Sequence, residues 1–289
     1  MYTEISDEMK LHVIHTGNFK LDGGAMFGVI PKVIWNNLNP SDEKNLCNWA
    51  MRCLLVEDGD RRILIDTGIG DKQSEKFFGY YYLNGHYSLA SSLKYAGFSH
   101  EDITDVLLTH LHFDHVGGAV FKGEDGILIP AFPNATYHVT ETQWNHALKP
   151  NAREKASFLT ENFLPLDEAG VLNFVEHGEW LTPNMRIRSV NGHTMGMITP
   201  EITMGNTKII YCADLIPSSA HVPVHYTMGY DIEPLVVMKE KEKLYAEMEA
   251  NKTLYFFEHD VAMQCARLQR NERGQMEIAE KGNLSDLLN

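Results

Sequence analysis

The sequence predicts an α/β fold in one domain, with two layers of sheet and helices outside them. Three observations carry that expectation. Short aliphatic runs alternate with helical segments through both halves of the chain. Polar residues able to carry chemistry recur where an apolar run stops. No Pro/Ser-rich linker or sharp composition shift occurs before a polar tail at about residue 270, so residues 1–289 are expected to form a single domain.

Composition narrows the function. The 289 residues are 44% hydrophobic and 22% charged, as in a soluble globular protein. Lys and Arg number 25 against 39 Asp and Glu, a net charge of −14. That balance disfavours nucleic-acid phosphates and anionic lipid as partners. No run of 18 apolar residues is present, so no membrane-spanning helix is expected. The start, MYTEISDEMK, lacks the basic-then-apolar order of a secretory signal, which predicts a cytoplasmic chain. Cys47, Cys53, Cys212 and Cys265 form no CxxC pair, so buried reduced thiols are expected. A Cys47–Cys53 disulfide is the alternative.

The elements follow in order. Residues 11–19 are a strand and 21–35 a glycine-rich loop. Residues 51–59 and 61–70 are two strands turning at Asp58-Gly59-Asp60, a hairpin signal. The aromatic-rich stretch 75–87 packs an irregular insertion or, as the less favoured alternative, forms a substrate wall. Residues 88–98 space their apolar side chains as a helix does, with Gly97 placed to end it. Ser99 and Asp102 form a short capped turn. A buried strand over 105–108 comes next. In the second half, 135–139 is a strand, and 141–148 and 152–163 are helical. Residues 185–190, 198–204 and 207–213 are strands, the last two joined by Gly205-Asn206. Residues 234–252 form a long helix with Leu244 and Met248 on one face. Residues 253–259 are a buried strand ending at a histidine.

The densest chemistry lies at 109–118, THLHFDHVGG. Leaving a strand, side chains alternate, so His110 and His112 point one way and Leu111 the other. Asp114 and His115 fall in the turn beyond, and Gly117-Gly118 allow close backbone approach. Four potential ligands in six residues suit zinc or another borderline divalent metal. A chance cluster of surface histidines explains one or two of them, not three with an Asp after an apolar strand. His193 in a glycine-bracketed turn, Asp214 after IIYCA and His259 after TLYFFE stand at comparable strand ends.

These residues resemble the metallo-β-lactamase superfamily. Its ordered pattern is present over nearly the whole chain: Asp66-Thr67-Gly68, HxHxDH at 110–115, a Gly-His-Thr turn at His193, then Asp214 and His259. The resemblance implies a four-layer αββα sandwich with metals at one edge of the sheets. It implies two divalent ions per chain, zinc first, with manganese, iron and cobalt as alternatives. One would be held by His110, His112 and His193, the other by Asp114, His115 and His259, with Asp214 bridging. Asp66 would orient a ligand through hydrogen bonds or cap its turn, two compatible roles. The implied nucleophile is a hydroxide shared by the ions, with Asp114 or a metal-bound water handing a proton to the leaving group.

Within the superfamily, the segments 23–35, 213–217 and 256–260 resemble the acyl-homoserine lactonase and methyl-parathion-hydrolase branch. That implies a small lactone or ester substrate, with phosphotriesters and aryl esters as the alternative. A glyoxalase II-like thioesterase and a mono-iron sulfur dioxygenase rank lower. Many acyl-homoserine lactonases carry a carbonyl-binding Tyr three residues after the bridging Asp; here that position is Pro217. Tyr226 or His221 is the expected substitute. Phe27 and Trp35, on the glycine-rich loop, are expected to grip the acyl chain, with core or dimer packing as the alternative. A homodimer is one assembly left open.

Overall fold

The computed structural model describes residues 9–248 and 252–288. Two large sheets dominate it. The first runs, in spatial order, Lys10–Asp22, Leu46–Asp58, Arg61–Ile65, Asp105–Leu107, Thr136–Val139 and Leu172–Phe174. Its first three strands pair antiparallel and its later ones parallel. The second runs Met276–Gly282, Cys265–Arg270, Thr253–Phe256, Thr207–Tyr211, Glu201–Met204, Met185–Arg186 and Trp180–Thr182.

Strand alternation explains the layering. Leu54, Val56, Ile63, Ile65 and Leu107 join one apolar cluster with Ile202, Ile209 and Phe256 of the second sheet. Their neighbours Cys53, Leu55, Leu64, Val106 and Leu108 point the other way, against Leu93, Trp144 and Phe163 of flanking helical segments. Val237 and Leu244 cover the second sheet from the helix Pro234–Glu247. The result is the αββα sandwich.

Most expected elements occur where the pattern put them. Asp58 pairs with Arg61 around a two-residue loop, and Gly59 takes φ 61° as that turn requires. The helix Leu89–Tyr95 is capped by Ser88, and Ser99 pairs with the Asp102 carboxylate. All four cysteines are buried and unpaired. The helix expected over 234–252 spans Pro234–Glu247; residues 249–251 lie outside the described residues.

Four expectations need correction. Residues 152–163 form turns and one 3-10 segment, Thr160–Asn162, with no α-helix. Asn151 Oδ1 accepts from the N–H groups of Arg153 and Glu154, a local competitor to helical bonding. The single strands expected at 185–190 and 198–204 are each split, the second at Pro200, which has no N–H for a ladder. Their broken-off halves, Ser189–Val190 and Met197–Ile198, pair as a separate ribbon that presents residues 191–196. The loop 21–35 contains two short helices, Gly23–Phe27 and Lys32–Trp35. The stretch after 259, to which the sequence assigned no elements, holds an edge hairpin of Cys265–Arg270 and Met276–Gly282, followed by the helix Leu284–Leu288. An edge strand solvated on one face lacks the apolar run that marks a buried one. Among the described residues no helix is long and apolar enough to cross a membrane.

Candidate metal centre

The strand Arg61–Ile65 ends at Asp66, which takes left-handed backbone at φ 59°. Both of its oxygens turn toward the neighbouring loop. Oδ1 accepts from the Thr109 N–H at 2.7 Å, and Oδ2 from the Thr109 hydroxyl at 2.7 Å. Oδ2 also lies 3.0 Å from His115 Nδ1. Asp66 thus fixes the loop and one histidine together. The turn beyond is closed by Gly117, where a Cβ would stand 2.0 Å from the Ile69 carbonyl oxygen.

His110 and His112 share a face as the alternation predicts, with His110 Nε2 3.1 Å from His112 Nδ1. The ribbon brings His193 to the same point, its Nε2 3.3 Å from His112 Nδ1. Asp114 and His115 sit on the one-turn helix Phe113–Val116. His259, beyond Thr253–Phe256, places Nε2 3.2 Å from His115 Nε2. Asp214 lies between the groups: Oδ2 is 3.1 Å from His193 Nε2, and Oδ1 is 3.0 Å from His259 Nε2. The preceding residue, Ala213, holds φ 44°, a strained conformation for a residue with a Cβ. His110, His112, His193 and Asp214 form one set of converging donor atoms; Asp114, His115 and His259 form another.

The chemistry of this donor set fits cations. The rings are held from behind. His193 Nδ1 faces Asp231 Oδ1 at 2.9 Å, and His259 Nδ1 donates to the Ala50 carbonyl at 2.7 Å. His115 Nδ1 faces Asp66 and, at 3.2 Å, Glu258. With a proton on the rear nitrogen, each neutral ring turns a lone pair toward the others. Such a set is repulsive unless positive charge sits among it. Protons can supply that charge: burial opposes it at His193 and His259, but the Asp214 carboxylate outweighs burial and lifts them to about 10 and about 9, the same attraction that a cation would meet there. His112 Nε2 is buried without a well-formed hydrogen bond, and so is Asp214 Oδ1, although His259 Nε2 lies 3.0 Å from it.

A cavity of about 380 Å³ opens onto His112, Asp114, His193, Asp214 and His259. Phe19, Leu21, Met26, Phe113 and Met228 give it apolar walls. Two phenols, Tyr81 and Tyr230, also line it, with Arg153 and Glu154. Arg153 hydrogen-bonds to the Gly229 carbonyl, joining two loops across the cavity. Tyr81 packs on Phe113 at 4.7 Å, so part of the aromatic stretch 75–87 does form a wall.

Four residues expected at the substrate lie elsewhere. His221 is fully buried, donates from Nε2 to the Met26 carbonyl at 2.9 Å and meets the Ser218 hydroxyl through Nδ1 at 2.7 Å. Burial, then the nearby Lys241, hold it down at about 3. Both ring nitrogens are spent on structure. Phe27 stacks between His221 at 4.7 Å and Trp35 at 5.3 Å, and both Phe27 and Trp35 are buried in that stack. Their chain neighbours Leu21 and Met26 face the cavity instead. Tyr226 packs beside this cluster, outside the cavity lining. Sequence reasoning missed Tyr230, four residues further on, and also Arg153, Glu154, Asp231 and Glu258. Only Tyr81 carried a signal, the density of aromatics around it.

Comparison with known proteins agrees with this geometry. A sequence profile of the metallo-beta-lactamase superfamily matches residues 52–273. The N-acyl homoserine lactonase AiiA of Bacillus thuringiensis subsp. kurstaki is 24% identical over 267 residues, 87% of this chain and 93% of its own. A probable metal-dependent hydrolase from Staphylococcus aureus superposes with a TM-score of 0.86 at 26% identity, over 95% of this chain and 96% of that one. AidC, a dizinc quorum-quenching lactonase, shares the fold with a TM-score of 0.77 at 22% identity, over 94% of each chain. The sandwich, the donor sets at its strand ends and the profile match together identify the chain as a hydrolase belonging to the metallo-β-lactamase superfamily.

Proposed function

We propose that the chain is a dinuclear-metal hydrolase that opens lactones of the acyl-homoserine lactone type. The observation that carries this reading is the pair of donor sets meeting at Asp214 on the floor of an apolar-walled cavity. His110, His112 and His193 would hold one ion, and Asp114, His115 and His259 the other, with Asp214 between them. When bound, two such ions supply an activated water as nucleophile and polarise the carbonyl oxygen. Zinc is the first candidate, in keeping with the dizinc relative.

The chain's own residues supply the rest. Leu21, Met26 and Met228 offer an acyl chain an apolar surface. Burial, then the Asp114 carboxylate, push the Tyr81 phenol up to about 12, so it stays protonated and remains a donor. Burial raises Tyr230 in the same direction. These phenols stand in for the carbonyl-binding Tyr absent at Pro217. Asp114 faces the cavity, where its carboxylate can take up the proton that the attacking water gives up and hand it to the departing alkoxide.

The test is hydrolysis by metal-analysed protein of lactones of graded acyl length, aryl esters and a phosphotriester. The highest kcat/KM is expected on an acylated lactone. A phosphotriester or aryl ester turned over faster would replace the lactone assignment. One iron per chain with oxygen consumption would replace the hydrolytic one. Tyr230→Phe or Tyr81→Phe should lower kcat about tenfold or more with the metal content intact. Tyr226→Phe should leave kinetics unchanged.

A further inference from the structure

His112 differs from the other two histidines of its set in which nitrogen faces inward. His110 and His193 present Nε2 to the centre and His112 presents Nδ1. Its other nitrogen, Nε2, points toward the turn 150–157. There it meets Glu154, whose Oε1 lies 3.5 Å away. Glu154 is 2% exposed although it borders the cavity. Its two oxygens do separate work. Oε2 accepts from His146 Nε2 and Asn151 Nδ2, each at 2.6 Å. At 3.5 Å, Oε1 and His112 Nε2 stand at the long limit of a hydrogen bond, and neither atom makes a shorter one elsewhere. A buried carboxylate oxygen and a buried ring nitrogen, both otherwise unsatisfied, thus face one another.

We infer that Glu154 is a positioning residue for His112: it accepts the Nε2 proton, fixes the ring's tautomer and so turns the Nδ1 lone pair to the metal. The energetic logic is that of a carboxylate behind a metal-bound imidazole, which orients the ring and raises its basicity. Asp231 stands behind His193 and Asp66 behind His115 in the same relation. Glu154 completes that arrangement for the one ring whose inward nitrogen is Nδ1. It also ties ligand geometry to substrate geometry, because its chain neighbour Arg153 bonds across the cavity to Gly229. The role rests on the metal-centre reading above.

The experiment measures metal affinity by chelator competition, with cobalt as the probe, on wild type, Glu154→Ala, Glu154→Gln and Asn151→Ala. The cobalt absorption spectrum is recorded alongside. Glu154→Ala should weaken binding roughly 10- to 100-fold and alter the spectrum. Glu154→Gln should fall between, since an amide oxygen still accepts a proton but carries no charge. Asn151→Ala removes a partner of Oε2 and the acceptor of the Arg153 and Glu154 N–H groups; it loosens the turn while leaving Oε1 and His112 untouched, and should stay within about threefold of wild type. Affinity within about threefold for Glu154→Ala would overturn the assignment. So would Asn151→Ala matching its loss, which would make Glu154 a loop brace. Should Glu154→Ala fail to fold, a wild-type affinity in folded Glu154→Gln overturns it equally. Wild type that binds no cobalt tightly removes the metal centre itself. Metal-loaded wild type with unaffected variants removes only the role of Glu154.

Discussion

Asp214 touches both donor sets, so its loss should be felt in metal content before anything else. Asp214→Ala is expected to reduce tightly bound metal below two per chain and activity with it. Two equivalents retained by metal analysis would refute its bridging place. Gly117 is constrained differently. Any Cβ there would collide with the Ile69 carbonyl. Gly117→Ala should cost several kcal/mol or prevent folding, read as a lowered urea midpoint. The seven converging donors are legible in the sequence for two physical reasons. Four lie in one six-residue motif, and the others stand where apolar strands stop. Glu154, Asp231 and Glu258 are not legible. A residue behind a ligand needs only to reach one ring nitrogen, and no spacing rule limits where in the chain it comes from. His221 misleads for the opposite reason. It lies on the expected loop, but its ring turns inward to the Met26 carbonyl.

Among the elements, the helix Pro234–Glu247 has the most unusual interior. Lys241 is fully buried, and its ammonium donates to the His221 and Tyr226 carbonyls at 2.6 and 2.7 Å. It thereby pins the loop that carries Met228 and Tyr230. Burial pulls Lys241 down from 10.5 to about 7, against the opposing influence of Asp231 and Cys212. The unfolded chain therefore binds the proton more tightly than the folded one between those values. Its contribution to stability rises as pH climbs from about 7 to 10.5 and is least favourable below 7. Lys241→Met should flatten that part of the stability–pH curve, measured by urea unfolding from pH 6 to 10. An unchanged slope would show that Lys241 titrates as it does in water. The helix is legible from its periodicity, whereas the lysine looks like one more polar position in a Lys-rich stretch. Split strands are the counterpart. Residues 185–190 look continuous, yet the ribbon pairing that carries His193 depends on which partner each half finds.

Across the whole molecule, the first half supplies His110, His112, Asp114 and His115, and the second supplies His193, Asp214 and His259. Bound ions would tie the two sheets together at one edge. Chelation should therefore lower Tm. Each ion present at about 100 times its Kd contributes about 2.7 kcal/mol, so two together are worth roughly 10 °C for a chain of this size. Calorimetry with and without chelator measures it, and an unchanged Tm would mean that the ions add nothing to folding. The layered architecture is legible because apolar runs alternate with helical ones. The edge hairpin at 265–282 is not, because solvated strands resemble a tail. One contact between the sheets uses no metal. Arg52, on Leu46–Asp58, donates to the carbonyls of Phe257 and Asp260 at 2.7 Å, on either side of Glu258 and His259. Its guanidinium is buried and holds that segment in register by main-chain oxygens alone. Metal loading is therefore separable from assembly. A chelated chain is expected to keep His259 aimed at its partners and to regain its metal content when ions are added back without unfolding; metal analysis that shows recovery only after refolding would refute this.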